Sequence, residues 1–196
     1  MANPIRIVAG LGNPGREYAR TRHNAGFWFV DALAQKLGAT LAMESKFAGE
    51  VAKAGDVRLV KPATFMNLSG RSVAALARFY SVAPDEILVV HDELDLRAGE
   101  AKMKLGGGVA GHNGLKDVRA QLGTPDFWRL RLGIGDPRDS ELTEQQVVDY
   151  VLKPPRSEEL SAIESAIGKS LDAWSDIEKG DMEKAMMKLH TKEKNL

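Results

Sequence analysis

Histidine is the side chain best suited to proton transfer near neutral pH, and this sequence of 196 residues contains four of them. The four are His23, His91, His112 and His190. No two have the i, i+4 spacing of a helical metal site, and cysteine is absent. We therefore expect no metal, no disulfide and no cysteine nucleophile. If the chain is an enzyme, its chemistry should depend on a histidine.

His23 is the histidine best placed for catalysis, because it closely follows a glycine-rich turn at the end of a predicted strand. Asp92 ends a second predicted strand and could bond one nitrogen of the His23 ring. Such a carboxylate fixes the tautomer and leaves the other nitrogen free to take a proton from water. Since the sequence lacks a G-x-S-x-G nucleophile motif, direct attack by water is the simpler chemistry. A histidine at a helix start is more often a surface or capping residue, and that alternative stays open.

Three asparagines, Asn13, Asn67 and Asn113, fall at the ends of predicted elements, beside glycine or methionine. An amide side chain can donate to a carbonyl oxygen and accept from an N–H group. This pair of functions suits binding of a peptide backbone and polarisation of an ester. The ordinary alternative is that such asparagines form turns or helix caps, and Asn113 could cap the helix that follows it.

The turn Gly10–Gly15 matches the G-x-G-x-x-G pattern of dinucleotide-binding folds, and Asp31 has roughly the spacing of a ribose-binding acid. That motif needs its last glycine at the start of a helix. Here Pro14 and then 16–18 intervene, and Asp31 lies inside a predicted helix. A nucleotide-dependent oxidoreductase is therefore a minor alternative, and NAD(P) should give no thermal stabilisation.

The hydrophobic pattern predicts strands alternating with helices over the first two-thirds of the chain. The predicted strands are Ile5–Ala9, Val57–Lys61, Glu86–His91, Ala101–Leu105 at a sheet edge, and Phe127–Ile134 with one wet face. The predicted helices are Asn24–Leu37, Ser69–Val82 with Ser69 as its cap, Asn113–Leu122, and a helical region from about Ser140 broken at Pro154-Pro155. This order predicts an α/β fold, a mostly parallel sheet flanked by helices.

The net charge is zero, from 27 basic and 27 acidic residues, which by itself argues against a nucleic-acid partner. The charges are unevenly distributed, however: residues 1–140 carry 19 Lys and Arg against 15 Asp and Glu, and residues 141–196 carry 8 against 12. A basic body with an acidic tail allows binding to nucleic acid, although random scatter would give a similar count. No segment resembles a signal peptide or a membrane helix, so we expect a cytoplasmic protein with no membrane partner.

Six blocks of this sequence together resemble one family, the bacterial-type peptidyl-tRNA hydrolases. The blocks are Gly10–Gly15, Tyr18 with Thr21–Gly26, Lys61-Pro62 with Thr64–Gly70, His91–Leu96, Lys102–Gly108 with Gly111–Lys116, and Phe127 with Arg129–Arg131 and Gly133–Gly135. Their order and spacing agree from Ile5 to the Pro154-Pro155 region, about four-fifths of the chain. Single blocks would be weak indications, but six in register are specific.

The resemblance implies a single α/β domain over 1–196 with a twisted mixed sheet, acting as a monomer without cofactor or metal. It implies that His23 is the general base, activated by Asp92. The three asparagines would bind the peptide and the ester or its water, and Tyr18 and Met66 would line the cleft. Three further residues would face tRNA: Lys104, His112 and Arg131.

The sequence leaves two alternatives undecided: whether the protein is catalytic, and where the C-terminal helical segment packs. An RNA-binding protein of the same fold without catalysis is a second candidate, and retention of His23, Asp92 and the asparagines weighs against it. The helical segment 140–196 could close over the cleft or pack on the sheet, since 152–171 alternates apolar and acidic residues. A plain surface helix is the alternative.

Overall fold

A seven-stranded sheet in the order β2-β3-β4-β1-β5-β7-β6 organises the chain. The computed structural model describes residues 1–135 and 142–190. The strands are β1 Ile7–Gly10, β2 Ala42–Glu44, β3 Gly49–Ala54, β4 Val57–Pro62, β5 Ile87–Glu93, β6 Ala101–Leu105 and β7 Trp128–Gly133. The helices are α1 Ala25–Leu37, α2 Ser69–Phe79, α3 Asn113–Leu122, α4 Glu144–Val151, α5 Ser157–Asp172, α6 Trp174–Glu178 and α7 Met182–His190.

The four central strands, β4, β1, β5 and β7, are parallel, while β2, β3 and β6 add antiparallel edges. The predicted mixed sheet of a single α/β domain is therefore confirmed. Parallel strands end at the same edge of a sheet, and the crevice beyond their carboxyl ends is where ligands bind in such folds. The segments that follow β1, β4 and β5 should thus meet at one site.

On each face of the sheet, a cluster of buried apolar side chains packs the helices against the strands. One cluster joins α1 with the C-terminal helices through Phe29, Leu33, Ile163, Trp174 and Ile177. The other joins α2 and α3 through residues such as Val73, Leu76 and Val118. Helix α5 therefore packs into the core and is not a plain surface helix.

Several boundaries and details differ from the sequence prediction. Strands β2 and β3 were not predicted, because neither has the β-branched run that marks the central strands. Helix α2 ends at Phe79 and not at Val82, since Ser81 takes a left-handed conformation with φ of 54°. Ser69 does not cap α2: it is the first helical residue, and its Oγ donates to the carbonyl of Met66.

The prediction that one face of β7 is exposed to solvent was wrong for Arg129, which is fully buried. Its guanidinium donates to the carbonyls of Gly107, Gly108 and Pro125. Carbonyl oxygens satisfy part of the buried charge, so this arginine anchors the glycine-rich loop between β6 and α3.

Gly26, near the start of α1, sets how closely this helix approaches the sheet. A Cβ at this position would lie 2.4 Å from the carbonyl oxygen of Val90 and 2.6 Å from the backbone N and O of Leu11. These neighbours are backbone atoms and cannot move aside alone. We expect Gly26→Ala to lower the free energy of unfolding by roughly 1–3 kcal/mol, measured by urea denaturation.

Gly168→Ala is the matched control for that measurement. Gly168 lies inside α5, and a Cβ at this position would meet no atom within 4 Å beyond the backbone of its own helix. A glycine inside a helix costs about 0.5–1 kcal/mol relative to alanine, so this variant should be slightly stabilised. Equal effects of the two substitutions would contradict the packing role of Gly26.

Candidate active site

Asp92, near the end of β5, lies between two histidine rings. Its carboxylate is 2.9 Å from Nδ1 of His23 and 2.9 Å from Nε2 of His112. The side chain of Asp92 is 2% exposed, while those of His23 and His112 are 13% and 10% exposed. A buried carboxylate needs partners that donate, and here both partners are imidazole rings. The predicted pairing of His23 with Asp92 is thus present in the geometry.

The hydrogen bonds of His112 fix its tautomer. This residue is the N-cap of α3, and its Nδ1 accepts from the backbone N–H of Leu115 at 3.2 Å. The ring proton must therefore be on Nε2, which donates to Asp92. Asn113, which the sequence suggested as a possible cap, is the first helical residue instead. Histidine is not among the residues preferred at the N-cap of a helix, so the sequence did not predict that His112 caps α3.

The charge of Asp92 controls the protonation of His23. Burial alone lowers the pKa of His23, but the charge of Asp92 and its hydrogen bond outweigh burial and raise the pKa above 6.5. Burial alone would raise the pKa of Asp92, but both histidines hold it well below its usual range. Asp92 is therefore ionised, Nδ1 of His23 carries a proton, and Nε2 is the nitrogen with a lone pair. Among the described residues, Nε2 of His23 has no hydrogen-bond partner.

His91 lies beneath this pair and is held neutral. Its Nδ1 donates to the carbonyl of Asp92 at 2.8 Å, and its ring meets His112 edge-on at 5.1 Å. Burial, followed by the proximity of His112, lowers the pKa of His91 to about 3. A ring that stays neutral at physiological pH contributes shape and packing under Asp92 without competing for its charge.

Asn13 is held in place by hydrogen bonds to Asn24 and Met66. Its backbone N–H donates to Oδ1 of Asn24, and Nδ2 of Asn24 donates to the Asn13 carbonyl, both at 2.9 Å. The side-chain Oδ1 of Asn13 accepts from the N–H of Met66 at 2.7 Å. The Nδ2 group of Asn13 is therefore the part left for a ligand. Asn24 is buried and adjacent to His23, and the sequence patterns gave no sign of it as a positioning residue.

A cleft of about 970 Å³ opens above these residues. It brings together nine of the ten residues predicted from the sequence to form the site: Asn13, His23, Met66, Asn67, Asp92, Lys104, His112, Asn113 and Arg131. Tyr18 does not line this cleft. It lies half-exposed in the turn after Gly15, where its carbonyl accepts from the N–H and the hydroxyl of Thr21. Its contact with a ligand stays a prediction.

The lining of the cleft includes both basic and apolar side chains. Lys104 of β6 and Arg131 of β7 line it together with the buried Arg129, and Arg131 pairs with Glu93 at 2.9 Å. The apolar wall comes from α4 and the loop before it: Leu142, Val147, Val148, Val151 and Leu152. Helix α4 therefore borders the cleft while α5 packs on the sheet, with Pro154-Pro155 between them.

Arg22 ties α4 to the turn that carries His23. Its guanidinium donates to the carbonyl of Tyr150 at 3.0 Å and to Glu159 of α5 at 3.1 Å, and it stacks on the Tyr150 ring at 3.9 Å. Arg22 is buried, and sequence patterns did not identify it, because its partners lie more than a hundred residues away.

The cluster of His23, Asp92 and His112 has the composition of a metal site, with ligand atoms within 4.8 Å of one another. Its hydrogen bonds oppose that use. A metal would need the lone pair of His112 Nε2, but Nδ1 of the same ring already accepts from Leu115. Binding would require an imidazolate or loss of the helix cap. The donor set therefore fits a chain of hydrogen bonds better than a metal ion.

Comparison with known proteins shows the family and the fold of the chain. A family model described as peptidyl-tRNA hydrolase matches residues 7–196. A peptidyl-tRNA hydrolase of Neisseria gonorrhoeae is 59% identical over 196 residues, covering 98% of this chain and 100% of that protein. One of Bordetella avium is 56% identical over 97% of this chain and 94% of that protein. The crystal structure of peptidyl-tRNA hydrolase from Acinetobacter baumannii superposes with a TM-score of 0.90 at 44% identity, over 96% of each chain.

Proposed function

Since the chain belongs to the peptidyl-tRNA hydrolase family, we propose that it cleaves the ester between a peptide and the 3′ ribose of tRNA, with His23 as the general base. One observation supports this role of His23 above the others. The Asp92 carboxylate bonds Nδ1 at 2.9 Å and leaves Nε2 with a lone pair at the cleft. A base in this state can remove a proton from water.

The reaction then proceeds in two steps. Nε2 of His23 takes one proton of a water molecule while the water oxygen bonds the ester carbonyl carbon, which gives a tetrahedral oxyanion. As the intermediate collapses, the bond to the ribose oxygen breaks and the protonated His23 returns its proton to that oxygen. The immediate products are a tRNA with a free ribose hydroxyl and a peptide with a carboxylic acid, which keeps the second proton of the water and then loses it to solvent to become a carboxylate. Asp92 stays ionised and stabilises the imidazolium between the steps.

Asn13, Asn67 and Asn113 bind the substrate in this proposal. Because Oδ1 of Asn13 is occupied by the N–H of Met66, its Nδ2 is directed to donate to a carbonyl oxygen. Asn67 and Asn113 are exposed in the cleft, where they can pair with peptide groups or hold the attacking water. Met66 and Tyr18 are proposed to border the peptide.

Lys104 and Arg131 are proposed to contact the phosphates near the 3′ end of tRNA. Phosphate contacts give affinity without reading sequence, which suits an enzyme that acts on many tRNAs. His112 was also expected to face tRNA, but both of its ring nitrogens are engaged within the protein. A contact of His112 with tRNA would therefore have to use its ring face or carbon edges.

We further propose that the enzyme acts in the cytoplasm, as a monomer and without a resident metal. In residues 1–135 and 142–190, no helix combines the length and hydropathy required to span a bilayer. The tautomer of His112 supports the proposal that no metal is needed.

The function is tested by comparing two substrates charged on the same tRNA, N-acetyl-aminoacyl-tRNA and unblocked aminoacyl-tRNA. We expect rapid release of the acetylated amino acid and little release of the free one. Binding of tRNA without release from either substrate would favour the non-catalytic RNA-binding candidate instead.

The pH dependence of kcat/KM gives a separate prediction. Only the neutral ring of His23 can act as a base, and the pKa of His23 is raised above 6.5. Activity should therefore fall as the pH decreases through a value above 6.5, and reach a plateau at higher pH. Asp92 stays ionised over this range and adds no second midpoint. A profile that is flat down to pH 5 would exclude His23 as the base.

A further inference from the structure

A second cavity, of about 270 Å³, lies beside the cleft, and among the described residues Asn13 is the one that lines both. Its other lining residues include Phe27, Trp28, Asp31, Met43, Glu50 and Lys61. None of them takes part in the reaction described above. We propose that this cavity, called here the upstream cavity, receives the peptide residue that precedes the ester-linked one. This inference rests on the proposed function of the cleft.

The order of the strands determines on which side the peptide must lie. Asn13 follows β1 and Asp92 is the penultimate residue of β5, so the reacting ester lies near the centre of the sheet. Among the described residues, three of the four cations that line the cleft belong to β6 and β7 on one side of that centre: Lys104, Arg129 and Arg131. The fourth, Lys116, belongs to α3. If tRNA lies on that side, the peptide attached to the same carbonyl carbon has to leave on the other, towards β4, β3 and β2.

The upstream cavity occupies that opposite side. Lys61 is at the carboxyl end of β4, Glu50 is near the start of the antiparallel β3, and Met43 is near the end of β2. All three therefore lie at the same edge of the sheet as Asn13 and Asp92. A peptide held at Asn13 enters the upstream cavity by continuing along this edge.

The charges of the upstream cavity fit a peptide and repel RNA. The ammonium of Lys61 lies 2.8 Å from Asp31 and 3.5 Å from Glu50, so two carboxylates face one cation and the net charge is −1. Phosphate groups are disfavoured there. Both carboxylates are about half exposed, which leaves them able to attract a basic side chain or to repel an acidic one.

Aromatic and thioether side chains provide the remaining surface. Phe27 lies under the Lys61 ammonium at 5.3 Å, Trp28 is held by its indole N–H to the Ala19 carbonyl at 2.9 Å, and Met43 is 58% exposed. These groups suit apolar side chains and the aliphatic stems of lysine and arginine. The upstream cavity should therefore accept apolar and basic residues in preference to acidic ones.

The test uses N-acetyl-dipeptidyl-tRNAs that share the tRNA and the ester-linked residue and carry Phe, Lys or Asp upstream. Each kcat/KM is divided by that of N-acetyl-aminoacyl-tRNA, which has no upstream residue. For the wild-type chain, Phe and Lys should exceed Asp by roughly two- to fivefold. In Asp31→Asn/Glu50→Gln, which leaves Lys61 without its carboxylates, the order of Lys and Asp should reverse.

The control variant is Glu164→Gln/Glu183→Gln, which changes the net charge equally at exposed positions of α5 and α7. It should keep the wild-type order. If the Lys-to-Asp ratio is the same in all three proteins, the upstream cavity does not hold the peptide and the inference is overturned. Failure of wild-type protein to hydrolyse N-acetyl-aminoacyl-tRNA would instead contradict the proposed function itself.

Discussion

His23→Ala is expected to hydrolyse N-acetyl-aminoacyl-tRNA roughly 10²–10⁴-fold more slowly than the wild-type chain, the usual contribution of a general base. Among His23, Asp92 and His112, Nε2 of His23 is the one ring nitrogen without a partner in the described residues, since His112 uses both of its own. Nε2 of His91 also has no partner, but it is buried away from solvent. The substitution removes the lone pair of His23 but leaves the basic side chains of the cleft intact. Affinity for deacylated tRNA should therefore stay within about twofold, a difference of under half a kcal/mol.

His190→Ala is the matched control for this variant. His190 is exposed at the end of α7, where its Nε2 accepts from the N–H of Met103 at the sheet edge. Its loss should leave kcat close to the wild-type value. Retention of most of the activity in His23→Ala would show that another group activates water.

Asp92→Asn is expected to reduce kcat by a similar factor, on the order of 10²–10⁴. The carboxylate accepts from two rings, whereas an amide offers one acceptor and one donor. His112 cannot change tautomer without losing its bond from Leu115, so it takes the amide oxygen. The amide NH₂ then takes the place of Oδ2, 2.9 Å from Nδ1 of His23, while the amide oxygen keeps the place of Oδ1 at 3.0 Å. A donor at the shorter distance opposes a proton on Nδ1 and favours the tautomer with the proton on Nε2. The nitrogen that should act as a base is then protonated.

The double variant Asp92→Asn/His112→Ala tests this explanation. Without His112, the amide can rotate, accept from Nδ1 of His23 and restore the lone pair on Nε2. Activity should then exceed that of Asp92→Asn alone and stay below that of the wild-type chain, because the negative charge of Asp92 is still missing. A double variant no more active than the single one would contradict the tautomer argument, and would leave loss of charge as the whole effect.

The central strands and the placement of the site could be predicted from the sequence because each depends on local signals. The β-branched run of β5 ends directly at His91-Asp92, and the glycine-rich turn directly follows β1. Strand ends in a parallel sheet meet at one edge, so Asn13, His23 and Asp92 had to be neighbours. The same turn explains the misleading dinucleotide motif. A Cβ at Gly10 would lie 2.3 Å from the carbonyl of Gly26, so this glycine serves the packing of α1 on β1.

Other features depend on distant contacts that no local pattern encodes. From the sequence, Arg22 and Arg129 would both be predicted to face solvent. In the structure, α4 and α5 bury Arg22, and the glycine-rich loop between β6 and α3 covers Arg129. The role of His112 as helix cap and second partner of Asp92 likewise depends on how α3 packs beside β5. Resemblance to the family assigned it a contact with tRNA, and only the positions of Leu115 and Asp92 show that both nitrogens are engaged.

The central claim is that His23 activates water and does not itself attack the ester. It is tested most directly by following release of free tRNA and free peptide in one pre-steady-state experiment, with substrate in excess over enzyme. Attack by water breaks the ester in a single chemical sequence, so tRNA and peptide should appear together, with the same rate constants and amplitudes. A burst of tRNA equal to the enzyme concentration, with peptide released later, would reveal a covalent acyl-enzyme and contradict the claim.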